Sequence, residues 1–233
     1  MLVDGRQIGE SYEPYIISEL SANHGGSIER AKESIRRAAG IGVSAIKIQT
    51  YTPDTMTINC QKPDFYISKG LWSGKQLYDL YGEAYTPFEW HRELFQYSKE
   101  VGVTLFSTPF DETAVDLLEE LNTPAYKIAS FEIIDLPLVE YVAQKNKPIF
   151  LSTGMASLEE VTDAVTTIRK ASDADVLLFH CISSYPTPTE DSQLSNITTL
   201  KNMFDVHVGL SDHTISNLAA VVAVGMGAVA IEK

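Results

Sequence analysis

Thr104–Ser152 reads TLFSTPFDETAVDLLEELNTPAYKIASFEIIDLPLVEYVAQKNKPIFLS, and two periodicities alternate along it. Thr104–Ser107 (TLFS), Ala125–Ile128 (AYKI) and Ile149–Ser152 (IFLS) are short apolar runs of strand length. Between them, Glu112–Leu121 and Leu136–Lys145 carry apolar residues three and four apart, the spacing of a helix with one buried face. A crossover that contains a helix joins parallel strands, and it is right-handed. The same unit recurs outward in both directions. Tyr15–Glu19 (YIISE), Ala45–Gln49 (AIKIQ), Val176–His180 (VLLFH), Val206–Gly209 (VHVG) and Ala228–Glu232 (AVAIE) read as further strands. Ile28–Gly40, Pro87–Val101, Leu158–Ala171, Ser192–Met203 and Ile215–Met226 read as further helices. Eight strands alternating with seven helices predict an α/β chain closed into a (β/α)8 TIM barrel, one domain over residues 1–233. The other arrangement is an open doubly wound sheet, but no G-x-G-x-x-G follows the first strand.

Two features depart from the repeat. Residues 50–86, after the second strand, form a long insertion rich in aromatics, with Tyr51, Phe65, Tyr66, Trp72, Tyr78, Tyr81 and Tyr85. Loops of that length usually carry function. The chain also stops at Lys233, straight after the eighth strand, where a closed barrel normally adds a last helix. That predicts a fragment, or another element over that edge.

Composition narrows the function classes. With 18 basic and 31 acidic residues the net charge is −13, unfavourable for nucleic acid or an anionic membrane. Any site for an anion must therefore gather its cations locally. The two cysteines, Cys60 and Cys181, have no metal-binding spacing and read as free thiols. The N-terminal stretch has no apolar signal core, and the longest apolar run, Leu218–Ile231, is too short to span a bilayer. The expectation is a cytoplasmic protein.

Catalytic groups of a barrel sit at the C-terminal ends of its strands. Here those ends bring Glu19 with Asn23 and His24, Lys47 and Gln49, Ser107 and Thr108, Lys127 with Ser130 and Glu132, and Ser152 with Thr153. They also bring His180, Ser183 and Tyr185, then Ser211, Asp212 and His213, and finally Glu232. Lys47 and Lys127 lie inside apolar strands, where a buried ammonium is costly unless paired. Either they point outward between helices, or they face the mouth as two cations. In the second case, with the hydroxyls of Thr108, Ser130, Ser152 and Ser211 nearby, they suit a small dianion bearing phosphate and carboxylate. A Schiff base on Lys127 is the rival chemistry. Glu19 and Glu132 are either general bases or ion-pair partners of these lysines.

Seven motifs, SELSANHGG, KIQTY, FSTPFD, YKIASFE, LSTGM, FHCISSYPTP and GLSDHT, resemble the sialic acid synthase family in order and across nearly the whole chain. Within it, GLWSGKQLYDLYGEAYTPFEWH most resembles pseudaminic acid synthases. The resemblance implies condensation of phosphoenolpyruvate with an amino-sugar aldehyde. It implies that Lys47, Thr108, Lys127, Ser130, Ser152 and Ser211 bind phosphoenolpyruvate. Glu19, Gln49, Glu132 and Tyr185 would face the sugar or the reacting centre, with Glu132 handling a water proton and Glu19 second. Asn23 belongs to the first motif, on the substrate side. His213 would ligate a divalent metal, Mn²⁺ or Mg²⁺, together with a second histidine just beyond Lys233. Family members also carry a small C-terminal antifreeze-like domain that reaches over the partner subunit's site, which implies a homodimer. Ser183 stands where N-acetylneuraminate synthases tend to have Asn, which favours a different sugar.

Overall fold

The structure, a computed structural model, describes all 233 residues except Leu71, which falls in the GLWSGK stretch of the insertion and lies outside the described residues. Eight parallel strands close a barrel: β3 (Tyr15–Glu19), β4 (Ala45–Thr50), β5 (Thr104–Pro109), β6 (Tyr126–Ile128), β7 (Ile149–Ser152), β8 (Val176–Cys181), β9 (His207–Ser211) and β10 (Ala230–Glu232). β10 pairs with both β9 and β3, so the ring has no open edge. Ahead of it, β1 (Leu2–Val3) and β2 (Arg6–Gln7) form a small antiparallel hairpin that sequence patterning did not reveal.

The strands alternate sides with a period of two. Ile46, Ile48, Leu105, Ile128, Leu151, Leu178 and Leu210 face the helices in the larger core. Tyr15, Ile17, Ala45, Phe106, Phe150, Phe179 and Ala230 fill the barrel, and Val3 and Ile8 from the hairpin region join this inner cluster. The inner packing is tight enough to require glycine at 209. A Cβ there would sit 2.6 Å from the Phe179 ring and 2.7 Å from the Ala230 carbonyl oxygen.

The outer helices are α1 (Ile28–Gly40), α4 (Phe88–Val101), α5 (Glu112–Glu120), α6 (Leu136–Ala143), α7 (Leu158–Ala171), α8 (Ser195–Phe204) and α9 (Leu218–Gly225). Ser27, Asp111, Asp135 and Ser157 cap the first turns of α1, α5, α6 and α7 by accepting backbone N–H bonds. Pro87 is the N-cap of α4 rather than its first residue. The stretch before α8 begins as a 3-10 turn at Thr189–Asp191, and α9 starts three residues later than the periodicity predicts. Such differences lie at element ends, where capping rather than apolar spacing decides.

The insertion is folded. α2 (Pro53–Met56) and α3 (Leu77–Ala84) pack on each other, and Tyr78 donates to Asp54 Oδ1 at 3.1 Å. No helix among the described residues is long and apolar enough to cross a membrane.

Candidate active site

Strand alternation puts Glu19, Lys47, Gln49, Thr108, Lys127, Ser152, Cys181, Ser211 and Glu232 on the inward side, one layer above the apolar plug. The two lysines converge. Lys47 Nζ and Lys127 Nζ lie 3.5 Å and 3.2 Å from the same atom, Glu232 Oε1. Ser211 donates to that oxygen at 2.9 Å. Lys47 Nζ also lies 2.7 Å from Glu19 Oε2, an ion pair. Lys127 Nζ sits 5.4 Å from the centre of the Phe179 ring, which forms the floor.

The electrostatics follow from burial and pairing. Burial alone would raise the Glu232 carboxyl, but Lys127, Lys47 and the Ser211 hydroxyl outweigh it and hold it at about 2. Burial also opposes the charge on Lys47, yet Glu19 and Glu232 overcome it and raise its pKa. Lys127 is the less compensated of the two; burial lowers its pKa, Glu232 offsets part of this, and Lys47 adds to it. The Glu19 carboxyl is raised by burial despite Lys47. The site thus holds two ammonium groups against two carboxylates in an enclosed space.

Glu132 opens the short 3-10 turn Glu132–Ile134 after β6. It makes no ion pair with Lys47 or Lys127 among the described residues, and its Oε2 is buried without a partner. Burial lifts it to about 7. Of the two carboxylates left open by the sequence, Glu19 is therefore the ion-pair partner and Glu132 is the free one.

The far side of the mouth is a cradle around Gly154. A Cβ at that position would lie 2.6 Å from Cys181 Sγ and from Ser183 Oγ, and 2.9 Å from Ser130 Oγ, so only glycine leaves the space open. Ser130 Oγ and Cys181 Sγ are 3.2 Å apart. Thr108 Oγ1 is buried and unpartnered, and Ser152, two strands along the ring, is buried as well. A buried hydroxyl without a partner calls for a ligand or water.

His213 Nδ1 lies 2.8 Å from the Ile182 carbonyl oxygen, so that nitrogen carries the proton and donates. Nε2 keeps its lone pair, 3.3 Å from Ser211 Oγ, and burial lowers the ring's pKa. A neutral imidazole whose tautomer a carbonyl fixes is the form that binds a metal. Among the described residues no three His, Cys, Asp or Glu side chains gather as a complete metal site. His213 fits as one ligand of such a site. The Tyr185 ring lies 4.3 Å from that of His213, centre to centre, and is 72% exposed at the rim.

Other rim residues stand elsewhere. Ser107 faces outward, where its hydroxyl meets Thr50 Oγ1 at 2.6 Å. His180 also faces outward, with Nε2 2.8 Å from the Ser192 carbonyl oxygen. His24 is fully buried, accepts from the Gly26 N–H and packs edge-on to Trp90, a structural role. Asn23 is exposed on the loop after β3. The sequence reading gave no role to Glu232, Cys181 or Gly154. The signal for the first two was present, since both fall on the inward side of their strands.

A family model described as the NeuB family matches residues 34–233. The chain is 46% identical over 220 residues to a pseudaminic acid synthase of Helicobacter pylori, covering 94% of this chain and 65% of that protein. It is 36% identical to an N,N'-diacetyllegionaminic acid synthase of Legionella pneumophila, covering 97% of this chain and 64% of that one. The chain thus spans a little under two thirds of the length of these relatives. Its fold matches the crystal structure of an N-acetylneuraminic acid synthetase from Leptospira borgpetersenii with a TM-score of 0.89 at 30% identity, covering all of this chain and 76% of that one. By the extent of the family match and by these relatives, the chain belongs to the NeuB family.

Proposed function

We propose that this barrel condenses phosphoenolpyruvate with an amino-sugar aldehyde to give a nonulosonic acid, and that the product is pseudaminic acid. The observation that carries the reading is the convergence of Lys47 and Lys127 on one oxygen of Glu232 at the bottom of an inward-facing hydroxyl ring. Two buried cations with hydroxyls around them suit a ligand that is phosphate at one end and carboxylate at the other. Thr108, Ser130, Ser152 and Ser211 complete that grip. Gln49, Ser183, Tyr185, Asn23 and Glu19 address the sugar.

Holding both reactants replaces a bimolecular encounter by a fixed approach. The methylene carbon of phosphoenolpyruvate attacks the aldehyde, and positive charge develops at the neighbouring carbon. Water adds there, and phosphate leaves by C–O cleavage. Glu132, free of ion pairs and poised near neutrality, takes the water proton. Lys47 and Lys127 stabilise the phosphate charge throughout. A divalent cation, Mn²⁺ or Mg²⁺, held through His213 Nε2 would supply Lewis-acid polarisation of the aldehyde oxygen. The reading places the enzyme in the cytoplasm as a homodimer.

The test is a coupled phosphate-release assay. Turnover with a 2,4-diacetamido-2,4,6-trideoxyhexose supports the pseudaminic assignment. Turnover with N-acetylmannosamine instead would move it to the N-acetylneuraminate class, and turnover with a legionaminate precursor to that class. One observation favours a second chemistry. Burial depresses the pKa of Lys127, which also suits a Schiff-base aldolase. Borohydride trapping with pyruvate labels Lys127 in that case and leaves the protein unlabelled in ours. A non-catalytic barrel would release no phosphate with any of these sugars.

A further inference from the structure

The inward series of β4 runs Ala45, Lys47, Gln49 and continues one step past the strand to Tyr51. That of β5 runs Phe106, Thr108 and continues to Phe110. The two added side chains meet edge to face, with ring centres 5.3 Å apart at 78°. The insertion then brings Tyr81, from α3, edge-on to Tyr51 at 5.9 Å and 85°. Tyr51 is 4% exposed, so the base of this stack is fixed. The phenol of Tyr81 is raised first by burial and then by the Glu132 carboxylate, and Glu132 follows β6, the strand paired with β5.

The mouth therefore changes character with height. At the level of Gln49 and Thr108 it is polar. One layer up, on the β4–β5 side, it is aromatic. Across the ring stand Ser183, which follows β8, and His213, which follows β9. A fully hydroxylated sugar seated between these walls would bury hydroxyls against ring faces without partners, at a cost. A sugar with a methyl or acetamido methyl on that side would bury apolar surface instead.

We propose that Tyr51, Tyr81 and Phe110 form the wall that receives the methyl-bearing side of the sugar, with Tyr81 as the specificity-determining residue. This rests on the condensation reading above and adds to it a wall and a substituent class. The insertion is then a selector, and its removable member is the ring at 81.

The experiment compares wild type, Tyr81→Phe and Tyr81→Ala with the trideoxy diacetamido sugar. Steady-state kinetics give KM for sugar and for phosphoenolpyruvate. Saturation-transfer NMR, with irradiation of aromatic protons, reports contact to the sugar methyls without requiring turnover. We expect Tyr81→Ala to raise the sugar KM by about tenfold or more, the scale on which a pocket discriminates one small apolar group. The phosphoenolpyruvate KM should stay within twofold, the methyl transfer should fall, and Tyr81→Phe should match wild type. A sugar KM and methyl transfer unmoved by Tyr81→Ala would overturn the proposal, and so would parallel rises in both KM values. Turnover with unaffected methyl transfer sinks the wall and leaves the condensation reading standing. Methyl transfer that depends on Tyr81 without any turnover does the reverse.

Discussion

Glu132 and Glu232 are both carboxylates in one barrel mouth, and their surroundings drive them in opposite directions. Glu232 is flanked by two ammonium groups and stays ionised; Glu132 is buried without an ion-pair partner, and burial raises it to about 7. Its folded value lies above its ordinary value of 4.5, so its contribution to stability is full below about pH 4.5 and is lost as pH rises through 7. Glu132→Gln should therefore gain stability relative to wild type between those limits, read by denaturant titration at several pH values. The same variant should lose the acidic limb near pH 7 in kcat/KM, along with on the order of 10² or more in rate. A flat wild-type profile through pH 7 would remove Glu132 from the base role. Glu232→Ala should behave differently. It strands buried Lys127 and leaves Lys47 only Glu19, so it should cost about 3–5 kcal/mol. For a domain this size that is a Tm fall on the order of 10 °C.

At the level of elements, the barrel and α4 are tied by a buried polar chain rather than by apolar contact alone. His91 Nδ1 donates to the Pro87 carbonyl at 3.0 Å, Thr50 Oγ1 donates to Nε2 at 2.7 Å, and Ser107 Oγ stands 2.6 Å from the same Thr50 oxygen. Burial lowers the imidazole to about 4 from 6.5. Its stabilisation is present above about pH 6.5 and is lost as pH falls toward 4, because the unfolded chain takes up a proton that the folded one refuses. His91→Ala should cost about 2–3 kcal/mol by stranding the threonine and the cavity around it. It should also flatten the fall in stability between pH 6.5 and 4, measured by thermal melts across that range. Periodicity could not have shown this chain. His91 lies 41 residues from Thr50 in sequence, and only the fold brings them together. The insertion was opaque for a related reason. α2 and α3 are four and eight residues long and draw their order from packing against each other and the rim, not from a long apolar stripe.

At the scale of the molecule, the barrel was the most legible feature, because eight strand–helix alternations leave few other closures. Lys47 and Lys127 were legible as a pair because each sits in an apolar strand. Glu232 was not, because its importance lies in a distance of 105 residues to Lys127 that ring closure removes. The hairpin at the N-terminus was hidden because its two strands are two residues each. Closure also leaves the interior no slack. Gly209→Ala would push a methyl into Phe179 and into the Ala230 carbonyl, which is backbone and cannot yield. The expected loss is about 3 kcal/mol, seen as a lower unfolding midpoint in guanidinium. Adding Phe179→Leu should recover only part of it.

The account stands on two lysines and one doubly charged acid. Isothermal titration of phosphoenolpyruvate into wild type, Lys47→Met and Lys127→Met measures this directly, with circular dichroism confirming that each variant folds. The prediction is one bound molecule per chain in wild type and at least a hundredfold loss of affinity in each folded variant. Binding that survives both substitutions unchanged would contradict it.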